Sequence, residues 1–206
     1  MKNIQVYADW LGLPNTVLVG ELTVDVVRGK KIYRFHYEND WLQSPYRLEI
    51  DPELSLYRGD LFPRSGNDNF RAFLDSAPDR WGKLLMKRRE AVDAKLEGRK
   101  ERTLLESDYL LGVHDSYRMG GLRYKLNADG PFLSDNDSLS APHVTSLREL
   151  EYAAKVVEEN KSIPSDAYLA EYRRWLNMLI APGSSLGGAR PKACVKDDEG
   201  FWIAKF

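Results

Sequence analysis

The chain has 206 residues, 43% of them hydrophobic and 11% aromatic, enough to bury one large core or two small ones. Its 30 Lys and Arg against 31 Asp and Glu leave a net charge of −1, which excludes the basic field that drives direct binding to nucleic acid. Cys194 is the only cysteine, so no internal disulfide can form; with no apolar leader at the N-terminus and no run long enough to span a bilayer, the chain reads as cytoplasmic, without a membrane partner.

The first part reads as β. Gln5 to Tyr7 is a short strand, and Val17 to Val27 is a longer one in which Gly20 marks a bulge or a close approach. Arg28-Gly29-Lys30 turns the chain, and Lys31 to Tyr37 returns with Tyr33, Phe35 and Tyr37 alternating on the side to be buried. Asp40 to Leu61, broken by Pro45 and Pro52, reads as loop, with Tyr46 to Ile50 a short strand inside it.

Helices follow. Asn69 to Asp75 is a short one that ends before Pro78. Asp79 has the position of an N-cap for a helix reaching Leu96, with Trp81, Leu84, Leu85 and Val92 as its apolar face and Lys87, Arg88, Arg89, Glu90 and Asp93 as a mixed, solvated one. Thr103 and Glu106 have the spacing of a capping box for a helix through Leu111. Gly120-Gly121 then feeds a strand over Leu122 to Lys125, and Ser134 to Pro142 is a polar loop and the best internal boundary. Ser146 with Glu149 opens an amphipathic helix striped by Leu147, Leu150, Ala154 and Val157; Asp166 to Ile180 is a second, striped by Leu169, Tyr172, Leu176 and Leu179. A glycine-rich loop, Gly183 to Lys192, leads into a hairpin turned by Asp197 to Gly200 and closing on Ile203-Ala204-Lys205-Phe206.

That loop carries the clearest chemical signal. Glycines let backbone N–H groups face an anion with no Cβ in the way, and Arg190 and Lys192 add positive charge. By strand period Lys205 shares a face with Phe201 and Ile203, a setting in which a lysine needs a partner, and a strand lysine after a glycine loop is the arrangement that holds ATP phosphates in protein-kinase-type sites. The same residues also fit a plain helix-to-strand turn and a lysine at a frayed end. His36, His114 and His143 are too scattered for a metal site, Ser184 and Ser185 have no histidine–acid pair to activate them, and Trp81 and Trp175 fit core packing.

Several strings together resemble the HipA family, bacterial serine/threonine-protein kinases that are the toxins of toxin–antitoxin pairs. These are Val6-Tyr7, Val19-Gly20-Glu21-Leu22 and Phe35-His36-Tyr37 near the start; Phe73 to Gly82, similar to the family's P-D-x-W-G; Met119 to Tyr124, similar to G-A-L-R-F with Gly121 in place of alanine; and Ser185 to Lys192, similar to the nucleotide loop S-x-G-G-A-x-x-K. The resemblance implies an α+β fold: a β-rich N-terminal module with packed helices over residues 1–133, then, over 134–206, a helical pair, the glycine-rich loop and the first hairpin of a phosphoinositide-kinase-like lobe. It implies that Gly187, Gly188, Ala189 and Lys205 bind nucleotide and that Ser185 is the serine that family members autophosphorylate to shut themselves off.

ATP and Mg2+ are the implied cofactors of a full-length parent. The implied partners are a helix-turn-helix, HipB-like antitoxin and a protein substrate such as an aminoacyl-tRNA synthetase, whose phosphorylation halts growth. The family's catalytic and metal-binding aspartates follow the strand lysine, so no catalytic or metal residue is assigned in this chain, tight nucleotide binding is not expected of it, and Ala204 and Phe206 are expected to want a covering sheet. On that reading the chain is an inactive N-terminal fragment. A stand-alone, non-catalytic module that restrains a separate kinase subunit is the alternative, and a pseudokinase that senses ATP is a third.

Overall fold

The computed structural model describes residues 1–28, 30–67, 69–135, 146–159, 164–180 and 188–206. The chain is α+β, with six helices and two antiparallel sheets among these residues. Packing divides it into two compact units, Met1–Ser76 with Met119–Asp135, and Ala77–Arg118 with Asn136–Phe206.

The first unit is a four-stranded sheet in the order β3-β2-β1-β4, built from β1 (Lys2–Ala8), β2 (Val17–Val27), β3 (Lys30–Tyr37) and β4 (Leu122–Lys125). Register places one apolar row, Tyr124, Val6, Gly20 and Tyr37, across all four strands, and Ile4, Leu22 and Phe35 form the next across β1 to β3. Helix α2 (Arg71–Asp75) covers this face: Phe73 lies 5.5 Å from Phe35 and 6.4 Å from Tyr124 between ring centroids. Asp51 reaches the same helix from 21 residues away, its Oδ2 accepting from the Ala72 N–H at 2.7 Å and satisfying one of the orphan donors of the first turn. The Tyr37 hydroxyl donates to the Leu54 carbonyl at 2.6 Å, so the stretch that reads as open loop is tied to the sheet.

Two expectations fail in that stretch. A helical turn, α1 (Asn39–Gln43), buries Trp41 where loop was expected, and Tyr46 to Ile50 form no strand. On the outer edge of β3 it is Leu61 that pairs, exchanging two backbone hydrogen bonds with Phe35.

The second unit packs α3 (Arg80–Leu96), α5 (Leu147–Glu159) and α6 (Leu169–Ile180) around one core with the strand β5 (Lys192–Lys196). Leu85 and Val92, Leu150 and Val157, and Leu176 and Leu179 supply its helical layers. Of the expected α3 face, Trp81, Leu85 and Val92 are buried, whereas Leu84 is exposed. Helix α3 ends on Gly98 at φ +63, with Arg99 N–H bonded to the Ala94 carbonyl and Gly98 N–H to that of Lys95, a Schellman ending.

That ending aims Arg99 back along the helix, and the charged face of α3 is therefore not simply solvated. Glu90 is 7% exposed and accepts from Arg99 at 2.5 Å and from both the backbone N–H and the Nε of Arg102 at 3.1 and 3.2 Å. Arg88 donates to the Tyr172 hydroxyl, and Asp93 pairs with Arg173, both on α6. Helix α4 (Glu106–Leu111) starts later than the Thr103 spacing predicts: the residue at the cap is Leu105, whose N–H donates to the Asp108 carboxylate at 2.8 Å. Helix α5 begins at Leu147, directly after Ser146.

Gly20 answers its expectation in full. The β1–β2 register shifts beside it, a Cβ there would lie 2.6 Å from the tip of the Phe35 ring, and it would run into the His36 carbonyl oxygen. Gly20→Ala is expected to destabilise by about 1–3 kcal/mol, as overpacking of a backbone contact does, read from the urea midpoint. The Arg99 and Arg102 bonds hold the Glu90 carboxyl well below its usual range, at about 2. A depressed carboxylate contributes stability that is complete above its unfolded value and is lost as pH falls through the folded one. Stability is thus expected to fall between about pH 4.5 and about pH 2, and Glu90→Gln should flatten that slope while lowering stability at neutral pH.

Candidate functional site

Five residues of Phe73–Gly82 and Ser185–Lys192, the two strings most specific to the family resemblance, meet in one place. Asp79 is the N-cap of α3, with Oδ1 accepting from the Gly82 N–H at 2.8 Å. Its other oxygen, Oδ2, lies 3.1 Å from Nζ of Lys192, the first residue of β5 and 113 positions away. The side chains of this ion pair are only 5% and 7% exposed. Trp81, the second residue of the helix, donates its indole Nε1–H to the Lys192 backbone carbonyl at 3.2 Å. Lys192 is therefore held at side chain and backbone by the first turn of α3. The cap was legible in the sequence; the ion pair and the indole bond were not, because nothing local announces a partner more than a hundred residues distant.

Gly188 sits above this pair. Its φ of +95 is a backbone conformation that favours glycine, and a Cβ built on it would lie 3.7 Å from the Lys192 ammonium. Ala189 and Arg190 are exposed beside it. Ser185 and Gly187 lie outside the described residues.

Lys192 and Lys205 face each other across the β5–β6 ladder, where β6 is Phe201–Lys205. Opposed residues of an antiparallel pair share a face, so one lysine is buried against Asp79 and the other is exposed on the same side of the ribbon. Phe201 and Ile203, which alternate with Lys205, are 59% and 51% exposed, and Trp202 is 50% exposed on the other side. Lys205 is thus on an open apolar face, not a buried one, and among the described residues it forms no ion pair. Ala204 and Phe206, expected to be the uncovered pair, are half-buried: Phe206 packs on the core of this unit, and its N–H bonds the Pro191 carbonyl. The 197–200 turn closes the hairpin as expected, with Asp197 accepting from the N–H groups of Glu199 and Gly200.

The remaining candidates resolve simply. Trp81 and Trp175 pack against the core, Trp175 edge-on to Tyr152. His114 is buried against Tyr117, which in turn meets Phe201. Cys194 is buried, and burial pushes its thiol up, away from the reactive thiolate. A cavity of about 540 Å3 lined by Lys87, Glu90, Arg102 and Tyr109 lies near the C-terminal half of α3; its Glu90 and Arg102 are already paired with each other. Among the described residues no three His, Cys, Asp or Glu side chains are grouped to hold a metal ion, and no helix is long and apolar enough to cross a membrane.

Among the described residues, Gly188 to Arg190 and Lys205 are the residue types that an anion site needs, exposed backbone and positive charge. Gly188 and Ala189 offer backbone with little side chain in the way, and Arg190 and Lys205 offer exposed positive charge. These residues fit the phosphate end of a nucleotide in charge and in backbone freedom. Compared with protein-family models the chain matches none, and no curated protein matches it.

Asp79→Ala removes the cap and strands Lys192. It is expected to cost more than the about 1 kcal/mol of a lost N-cap, moving toward the roughly 3–5 kcal/mol of a broken buried pair. Trp81→Phe keeps a six-membered aromatic ring but loses the hydrogen bond to a buried carbonyl, a cost of about 1–3 kcal/mol, and leaves a small void where the pyrrole part of the indole stood. Urea unfolding of the two variants should rank them in that order.

Proposed function

We propose that this chain is the N-terminal part of a HipA-type toxin: the N-terminal module and the opening of the nucleotide-binding lobe of an ATP-dependent serine/threonine-protein kinase. The observation that carries the reading is the convergence of P-D-R-W-G and the loop's terminal lysine. Two strings that carry the family likeness are bonded to each other, which supports reading them as parts of one site. In this reading Gly187, Gly188 and Ala189 hold phosphates through backbone N–H groups, and Lys205 supplies a compact charge to them. Ser185 is the self-inhibitory phosphosite. Mg-ATP is the phosphoryl donor, an aminoacyl-tRNA synthetase is the substrate class, and a HipB-like helix-turn-helix antitoxin is the partner; the protein acts in the cytoplasm.

A specific observation also favours a second reading. Phe201, Trp202 and Ile203 are at least half exposed in succession along β6, and an apolar strand of that kind suits a non-catalytic module that docks on a separate kinase subunit.

Reading the gene past the codon for Phe206 separates the two. A continuation with a catalytic and a metal-binding aspartate is expected, and a stop codon there would move the assignment to the docking module. The 206-residue chain itself is expected to transfer no phosphate from radiolabelled ATP, and transfer would overturn the placement of the chemistry outside it. In the kinase encoded by a continued frame, Lys205→Met should lower phosphoryl transfer on the order of 10²-fold or more. Ser185→Ala should abolish self-modification and leave substrate phosphorylation intact.

A further inference from the structure

The Asp79–Lys192 pair does more than the fold requires. A buried ion pair is weak support for stability, since a well-packed neutral pair of similar volume commonly holds a fold as well. Asparagine would also cap α3 as well as aspartate does. Yet both charges are present, both are nearly inaccessible, and the ammonium lies directly under Gly188. Trp81 fixes the Lys192 carbonyl at the same point, so the lysine cannot shift along β5 without losing a second bond.

We propose that Asp79 and Lys192 are positioning residues for the glycine loop: their ion pair holds the loop's exit, Gly188 and Ala189, in the shape that receives a phosphate. The inference rests on the nucleotide-loop reading above and adds to it a role for Asp79 and Lys192 distinct from phosphate contact. Gly188 takes a left-handed turn against the ammonium, β5 starts at the lysine that bears it, and the carboxylate comes from a helix cap that is itself anchored by the Gly82 N–H. Strand and helix are thus joined at one pair of charges, and Gly188 lies beside it. Without it Gly188 and Ala189 lose the fixed point beside them.

The test is the double variant Asp79→Asn with Lys192→Met, which keeps the N-cap and the aliphatic filling and removes the charges, so that it folds where either single change could strand a buried ion. It is compared with the 206-residue wild type by urea midpoint and by 15N relaxation of the Gly188 and Ala189 amides. The expected result is a wild-type midpoint with order parameters that drop from near 0.85 to below about 0.6 at those two amides. Unchanged order parameters overturn the proposal, as does a midpoint that falls with the loop, which would make the pair merely structural.

Titration with Mg-ATP supplies the second readout. If the wild-type amides shift, the double variant should bind roughly tenfold more weakly, the equivalent of about 1.4 kcal/mol, and equal affinity overturns the coupling to phosphate. If the wild-type amides do not respond even at millimolar Mg-ATP, as an incomplete site allows, the nucleotide reading is decided by the Lys205→Met assay of the longer kinase and the positioning claim by the relaxation data alone.

Discussion

Asp79 has two carboxylate oxygens and spends them in different directions, one on the first turn of its own helix and one on a lysine 113 residues away. Much of the second unit's organisation follows from that division. The cap sets where α3 begins, and the start of α3 sets where Trp81 falls. Trp81 holds the Lys192 carbonyl at the start of β5, and the second oxygen pairs with the Lys192 ammonium. Because the pair is enclosed, water does not compete for either charge and the contact is less screened than a surface bridge would be. Gly188, at the described end of the glycine loop, lies beside this fixed point, with a Cβ built on it 3.7 Å from the Lys192 ammonium.

The first unit works by a different constraint, the close approach of backbones. Gly20 lets Phe35 lie across its own strand, which closes the apolar rows of the sheet. Gly121 shows the same logic at a position where the family resemblance has alanine: a Cβ there would lie 2.8 Å from the Trp10 ring, and the Gly121 carbonyl accepts from Asp9 N–H. Trp10 packs edge-on to Trp41, buried in the helical turn of α1. The departure at Gly121 and the presence of a large aromatic at Trp10 are thus two halves of one packing solution. Substitution of the residue in isolation has no meaning there, since the ring and the missing methyl compensate each other.

Charge on α3 is organised rather than scattered. Its Schellman ending returns Arg99 to Glu90, and Arg102 approaches the same carboxylate from the following segment. Arg88 and Asp93 reach α6. A helix whose hydrophobic stripe covers only one side is held on a second side by buried and half-buried ion pairs, which orient it about its own axis as well as against the core. That orientation is what carries Asp79 and Trp81 to the start of β5.

The sequence by itself determined most of the local structure. Alternating aromatics placed β3, the T-x-x-E and S-x-x-E spacings pointed to two helices, and the apolar stripes of α5 and α6 named their buried residues, because strand and helix periods are properties of neighbouring residues. It also marked both strings of the candidate site, and the N-cap role of Asp79 was readable three residues from its partner. Where the sequence misled, a competing partner had changed the local outcome: Leu61 bridges to Phe35 on β3 while 46–50 forms no strand, Asp108 caps α4 at Leu105 in place of Thr103, and Arg99 with Arg102 drew Glu90 out of solvent. Only the tertiary structure decided that residues 77–118 pack with the C-terminal segment, that Lys192 is the buried lysine of the ribbon and Lys205 the exposed one, and that Asp79 answers both a helix and a strand. Period fixes which face a side chain takes, but the burial of that face, and the partner of a charge within it, depend on whatever the rest of the chain brings against it.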